Sequence, residues 1–358
     1  MKLLHAADFH LDSPFRQLSA RQAAQRRQEL RDIPARLARL ARQEQVDLVL
    51  LPGDLFDGER VYPETIRTLT SALADIPAPV FISPGNHDFY HPASPYNTAL
   101  WPENVHIFTS PTLAEVPLPR LNCVVHGCAF TAPRQEEDPL AGFSAPQDGH
   151  LHLLCLHGDA QAGSGGVYAP IAPQSLAGSG VHYAALGHIH AYTGLQWTES
   201  VPWAYPGCPE GRGFDECGEK GVLVLSLDGN QVQAQFHPLC LRQYQVQRVE
   251  LSAFLQTLEQ CPPENLVRWI LTGESAAPPD LVTLTAQAQA HCFYAEVRDE
   301  TTLPQDLWAR REEDSLTGLF LREMARRLEG AGEEARPALL LAARFGLAAL
   351  EGGEDIRP

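Results

Sequence analysis

Five short apolar runs in this chain each stop at a cluster of carboxylate, imidazole and carboxamide side chains, and this repetition constrains the fold more than any other feature. Residues 3–6 lead into Asp8-Phe9-His10, residues 46–51 into Gly53-Asp54, and residues 80–83 into Gly85-Asn86-His87-Asp88. Residues 151–156 lead into His157-Gly158-Asp159, and residues 182–186 into Gly187-His188-Ile189-His190. Short β-favouring runs closed by turn signals read as buried strands. Polar groups at the carboxyl ends of successive strands converge in the crevice where open α/β sheets bind ligands.

The rest of the chain supports this layering. Residues 16–45 are rich in Ala, Leu, Gln and Arg at helical spacing, residues 63–75 form a second helical stretch, and residues 105–108 and 122–126 add further strand signals. Alternating β and α predicts a layered α/β domain. Alternating runs at 222–227 and 231–236 flank Asp228-Gly229-Asn230, a hairpin signal that closes the first domain, predicted over residues 1–240. Residues 241–303 read as strand (244–251), helix (252–259), strand (266–272), helix (281–288) and strand (292–297), a small α+β accessory domain. In the tail, 304–358, Leu316, Leu319, Phe320, Met324 and Leu328 mark one amphipathic helix and residues 338–350 a second, separated by Gly330 and Gly332. Such helices either pack back on the body or meet a partner.

Composition narrows the function. The chain has 358 residues, enough for about two domains, with 27 basic against 44 acidic side chains and a net charge of −17. A field of that sign repels polyanions unless positive charge is concentrated locally, which excludes generic coating of nucleic acid. Lys2 and Lys220 are the only lysines, so the cations are almost all arginine, the side chain suited to bidentate phosphate recognition. Eight scattered cysteines without a CxxC pair fit buried free thiols rather than a disulfide scaffold or zinc ribbon. The start, MKLLHAADFH, meets an aspartate where a leader would continue apolar, and no apolar run is long enough to span a bilayer. A cytoplasmic protein without membrane association is expected.

Asp, His and Asn side chains together are the donors that a pair of first-row divalent metals takes. A carboxylate such as Asp54 can bridge two ions, which then hold a hydroxide nucleophile and neutralise charge on a phosphoryl oxygen. Phosphoester hydrolysis is the chemistry that this donor set serves.

Taken in order, the DxH, GDxxD, GNHD, HG and GHxH motifs resemble the calcineurin-like metallophosphoesterases. The resemblance implies a four-layer α/β sandwich of two mixed β-sheets flanked by helices. It places Asp8, His10, Asp54 and His190 on one metal, and Asp54, Asn86, His157 and His188 on the other. His87 would be the catalytic histidine that assists the leaving oxygen, with Asp57 orienting it and favouring its charged form. The opening HAADFHLDSPF and the stretch YPGCPEGRGFDECGEKG at 205–221 resemble the SbcD and, most of all, YhaO branch, relatives of the meiotic-recombination-eleven nuclease. That branch implies manganese, a capping role for residues 241–303, an SMC-type coiled-coil ATPase docked on the helical tail, and a homodimer through the first domain's helices. Iron, zinc or magnesium would also suit the donors.

For substrate contacts, Arg212 in the Gly-rich loop is a candidate for the scissile phosphate, and Tyr90 and His91 for the cleft wall. The arginines at 16, 21, 26, 27, 31, 36, 39 and 42 read as a solvated helix face, with a phosphate-tracking patch as the alternative. His5, His126, His152 and His237 read as structural. Three functions are open to such a chain: a manganese-dependent DNA exonuclease or endonuclease subunit in double-strand break repair, a stand-alone phosphodiesterase for small substrates such as cyclic nucleotides, and a silent scaffold. The first is the leading expectation, and the complete ligand set disfavours the last.

Overall fold

The computed structural model describes residues 1–58, 60–161, 166–229, 231–275, 277–304 and 308–350. Asn230 of the expected hairpin turn, and residues 305–307 and 351–358 of the expected tail, lie outside the described residues. The chain divides into two compact units, Met1–Gln243 and Tyr244–Pro358.

In the first unit, strands β1 (Lys2–His5), β2 (Leu48–Leu51), β3 (Val80–Ile82) and β4 (Val105–Ile107) run parallel. The second set is β5 (Ala114–Leu118), β6 (Cys123–Gly127), β7 (Leu151–His157), β8 (Tyr183–Gly187), β9 (Gln196–Thr198) and β10 (Val201–Ala204), and the hairpin β11 (Gly221–Asp228) and β12 (Gln231–Pro238) returns to β1. Two six-stranded mixed sheets result, in the orders β12-β11-β1-β2-β3-β4 and β5-β6-β7-β8-β10-β9. Strand periodicity explains how they stack. In β7, Leu153 and Cys155 join a core shared with Leu3, Leu48, Leu50 and Phe81 of the first sheet. Leu154 and Leu156 point the other way, onto Leu140, Ile171 and Leu176. Central strands buried on both faces read as continuous apolar runs, which makes them visible in the sequence. Strands β5, β9 and β10 are not. Pro117 and Pro202 interrupt β5 and β10; β5 is an edge of its sheet, where proline is tolerated, while β10 lies between β8 and the edge strand β9.

Helices α1 (Ala20–Arg31), α2 (Ile33–Glu44) and α3 (Pro63–Ala74) are accompanied by two short ones, α4 (Pro95–Thr98) and α5 (Pro173–Gly178). The single helical stretch expected over 16–45 is two helices. Ser19 opens α1 with a capping box to Gln22, and Pro34, which lacks an N–H, forces a fresh start after Asp32.

The second unit has a parallel sheet, β13 (Tyr244–Glu250), β14 (Leu266–Thr272) and β15 (Tyr294–Asp299), joined through α6 (Phe254–Gln260) and α7 (Leu281–His291). Phe254, Trp269, Leu271, Ala288 and Ala295 fill its core. Two further helices, α8 (Leu316–Glu329) and α9 (Arg336–Leu350), bury Leu321, Met324, Ala343 and Leu347 together with Leu303. Arg344 of α9 donates to Asp299 Oδ2 of β15 at 2.7 Å, so the tail helices are tied to this unit. Leu316 and Leu319 stay exposed. Among the described residues no helix is long and apolar enough to cross a membrane. All eight cysteines are free; six are buried, while Cys217 is exposed and Cys240 half-buried.

Candidate metal centre

The loops beyond β1 and β2 keep pairing past the end of the sheet. The N–H groups of Asp8, His10 and Leu11 donate to the carbonyls of Gly53, Asp54 and Leu55 at 3.1, 2.9 and 2.9 Å, and Asp57 N–H returns a bond to Leu11 O at 3.0 Å. Along this zipper, and after β8, the backbone takes unfavourable conformations. Asp8, His10, Asp54 and His188 adopt φ values of 55°, 44°, 50° and 116°. Non-glycine residues held there cost roughly 1–3 kcal/mol each, an expense typical of functional sites. Gly53 (φ 81°) and Gly187 let the loops close: a Cβ on Gly53 would strike the His157 ring, and one on Gly187 would strike Pro52 O.

Around these loops the side chains converge. Asp8, His10 and His190, then His10, Asp54 and His87, then Asp8, Asp54 and His157 each offer ligand atoms within 4.8 Å of one another. Asn86 Oδ1 lies 3.0 Å from His157 Nε2. His188 stands beside His157, ring centroids 5.3 Å apart, and its N–H bonds the Asp8 carboxylate at 3.1 Å. The seven residues expected to hold metal therefore share one locus.

Tautomers show what the locus needs. His157 Nδ1 lies 3.0 Å from Pro52 O, which can only accept, so Nδ1 carries the proton and Nε2 presents a lone pair. That lone pair faces Asn86 Oδ1 and, at 3.5 Å, Asp54 Oδ2. His190 Nδ1 is bonded to Glu216 Oε1 at 2.8 Å and so carries a proton, and its Nε2 lies 3.1 Å from His10 Nε2; desolvation is outweighed by Glu216 and Asp8, which raise the His190 pKa. Arg212 Nη2 also lies 3.0 Å from His190 Nδ1, but a guanidinium cannot accept, so the carboxylate is the partner. His10 Nδ1 is turned toward Asp57 Oδ1 at 3.3 Å. Burial, first of all, lowers the His157 and His188 pKa values to about 4 and His10 well below its usual value, so these rings are neutral ligands. Burial also raises Asp8 and Asp54 above the ordinary carboxylate range. The His157 Nε2 lone pair facing the Asn86 and Asp54 oxygens, beside carboxylates destabilised by burial, leaves acceptors facing acceptors, and the residues present fit divalent metal.

The remaining expected residues take different places. His87 is exposed at the rim, its ring edge-on to His10 at 4.8 Å and its N–H bonded to Asp54 Oδ1 at 2.9 Å. Asp57 does not orient His87. Its carboxylate accepts from Arg212 Nη1 at 3.1 Å and lies 3.3 Å from His10 Nδ1 without a hydrogen bond to it. Arg212 is not free for a phosphate as expected: Glu216 takes its Nε and Nη2 donors, and Asp57 takes Nη1. Tyr90 hydroxyl donates to Asn97 Oδ1 at 3.1 Å and His91 Nδ1 accepts from Ala93 N–H at 3.3 Å, so both serve the 90–98 loop, and neither is brought into the ligand cluster. Hollows of about 390 and 280 Å³ flank Asp57, one reaching Arg60 and the other Arg16.

Two functional neighbours, Glu216 and Tyr96, escape sequence reasoning, and a third, Asp88, is visible there without a role. Glu216 is buried and held well below the ordinary carboxylate range, its bonds to His190 and Arg212 overcoming desolvation. That combination of carboxylate, histidine and metal site fixes the tautomer and orientation of the ligand. The buried Asp88 carboxylate accepts from Gly85 N–H (2.8 Å), Phe56 N–H (3.1 Å) and Tyr96 hydroxyl (2.5 Å), stapling the GNHD loop to the loop after β2. Asp88 is legible as the last letter of GNHD; Tyr96 and Glu216 carry no local signal.

Comparison with known proteins agrees with this geometry. The profile of the calcineurin-like phosphoesterase family matches residues 1–192. The chain is 31% identical over 252 residues to the uncharacterized metallophosphoesterase YhaO of Bacillus subtilis, covering 66% of this chain and 60% of that one. It is 27% identical over 249 residues to the DNA double-strand break repair protein Mre11 of Aeropyrum pernix, covering 64% and 58%. It thus spans about three fifths of the length of these curated relatives. With donors for divalent metal at the ends of five strands and a family match over more than half its length, this chain belongs to the calcineurin-like phosphoesterases, in the group that includes YhaO and Mre11.

Proposed function

We propose that this chain is a dinuclear metal phosphodiesterase, manganese-dependent, that cuts DNA as the nuclease subunit of a double-strand break repair assembly with an SMC-type coiled-coil ATPase. The observation that carries the metal reading is the His157 Nε2 lone pair, fixed by the Nδ1 bond to Pro52 O, which faces Asn86 Oδ1 at 3.0 Å and Asp54 Oδ2 at 3.5 Å rather than any donor. Asp8, His10, Asp54 and His190 would hold one ion, and Asp54, Asn86, His157 and His188 the other. When bound, such ions supply Lewis acidity toward a phosphoryl oxygen and acidify water. His87, exposed beside Asp54, delivers a proton to the leaving oxygen, a role worth roughly 10²- to 10⁴-fold in rate. Glu216 holds His190 with a proton on Nδ1, which directs Nε2 to the ion.

The DNA assignment draws support from the similarity to the DNA double-strand break repair protein of Aeropyrum pernix. Under this reading residues 241–303 act as a capping domain, residues 304–358 dock the ATPase, the first domain's helices carry a homodimer contact, and the protein is cytoplasmic. Exposed Leu316 and Leu319 on α8 suit a docking role. The net charge of −17 favours a second reading, a phosphodiesterase for small substrates such as cyclic nucleotides. End-labelled linear DNA and bis(p-nitrophenyl) phosphate, each incubated with the protein in Mn²⁺ with and without chelator, separate the two. Chelator-sensitive DNA digestion supports the nuclease; cleavage of the small diester alone supports the second reading, and cleavage of neither sinks both.

A further inference from the structure

Arg26 sits on α1 among Gln25, Arg27 and Gln28, in a sequence context that reads as solvent-facing, yet it is fully buried. Its guanidinium donates from Nη1 to Glu29 Oε2 at 2.7 Å and from Nη2 to Glu210 Oε1 and Gly211 O, both at 2.8 Å. Glu29 is shared with Arg242, whose Nη2 donates to Oε1 at 2.8 Å. Glu210 Oε2 accepts from Leu241 N–H at 2.9 Å, and Arg36 Nη1 donates to Leu239 O at 2.7 Å. Both ends of the segment from 210 to 242 are therefore clamped to α1 and the start of α2 by charged hydrogen bonds.

The clamp adjoins the metal centre. One residue after Gly211, Arg212 N–H donates to Glu216 Oε2 at 2.7 Å, its guanidinium reaches Glu216 and Asp57, and Glu216 holds His190 Nδ1. The other half of the centre has its own support, since His157 is held by Pro52 O. Buried ion pairs add little stability over an apolar pair of the same shape, so their retention here calls for another explanation. We propose that Arg26 is a positioning residue for the His10–His190 half of the centre. Through Glu210 and Gly211 it sets where Arg212 and Glu216 stand, and thereby where His190 Nε2 points. The proposal rests on the metal-centre reading above.

The test is Mn²⁺ binding to the full chain, measured by isothermal titration calorimetry, with urea unfolding as the stability control. Removing Arg26 alone would strand the buried Glu210 carboxylate, so the double variant R26M/E210L removes one cation and one anion together and leaves Glu29 paired with Arg242. A second variant, R26K, keeps the charge but loses the fork that reaches Gly211 O. The expected result is a urea midpoint close to wild type with one of two Mn²⁺ steps weakened about tenfold or more and the other within about twofold, the size usual for loss of an outer partner of a metal ligand. R26K is expected to weaken the same step by about fivefold or more. Folded variants with both steps unchanged, or with both weakened equally, would overturn the positioning role. Wild-type protein that binds no Mn²⁺ would overturn the metal-centre reading itself, and the wild-type titration shows which of the two has failed.

Discussion

His10 and His190 meet nitrogen to nitrogen at 3.1 Å, and His190 is held from behind by Glu216, whose Oε1 accepts from Nδ1 at 2.8 Å. Burial keeps His10 neutral, while at His190 desolvation is overcome by the Glu216 bond and the Asp8 charge, which raise its pKa, so a divalent ion taken up at His190 Nε2 must displace a proton there.

Glu216→Gln is therefore expected to weaken metal binding roughly 10- to 100-fold, because an amide no longer demands the proton on His190 Nδ1. Calorimetric titration with Mn²⁺ checks this. Unchanged affinity would mean that Glu216 serves only the loop around Arg212.

Replacing His87 by Gln has a different signature. The side chain is exposed and holds no structural bond through its ring, so metal stoichiometry and fold should persist while kcat on bis(p-nitrophenyl) phosphate falls roughly 10²- to 10⁴-fold. Steady-state kinetics beside elemental analysis reads both. Metal lost along with activity would make His87 a ligand instead.

His5 supplies a pH dependence away from the centre. It is buried and neutral, Nδ1 accepting from Tyr183 hydroxyl at 2.9 Å and Nε2–H donating to Leu186 O at 3.1 Å, and burial lowers its pKa to about 3. Because the unfolded chain binds this proton near pH 6.5 and the folded chain does not, the stability it lends is full above 6.5 and lost as pH falls toward 3. The slope approaches about 1.4 kcal/mol per pH unit, so between about pH 7 and 5 wild type should lose about 2 kcal/mol more than His5→Gln, whose amide can keep both bonds. Urea denaturation at the two pH values measures the difference, and equal losses would contradict it.

Gly187→Ala tests the loop closure. Its methyl would collide with Pro52 O, whose carbonyl also fixes His157. A backbone collision cannot relax by a rotamer change, so a loss of about 3 kcal/mol or more is expected in chemical denaturation. A loss below about 1 kcal/mol would show that the two loops are free to separate.

Much of the centre is legible in the sequence because each ligand closes a strand, and a doubly buried strand announces itself as an apolar run with glycine after it. Asp8, His10, Asp54, Asn86, His157, His188 and His190 can be read in that way. Glu216 cannot, since it lies 26 residues from His190 in a loop without periodicity. Arg26 misleads for the opposite reason: its neighbours on α1 are polar, and its burial comes from a loop 184 residues later. Asp57 and Arg212 stand out in the sequence but pair with other partners than expected, because motif spacing gives proximity to a site and not the direction of a side chain. Pro34 is visible, but the break it makes between α1 and α2 depends on where Asp32 caps both helices.

The most direct test of the metal centre is the number of divalent ions that the chain binds. Mn²⁺ equilibrium dialysis on wild type and Asp54→Asn should give two ions per chain for wild type and at most one for the variant, since Asp54 Oδ2 lies 3.7 Å from His10 Nε2 and 3.5 Å from His157 Nε2, between the two halves. Fewer than two ions on wild type at saturating Mn²⁺, or two on both proteins with equal affinity, would contradict a dinuclear centre bridged by Asp54.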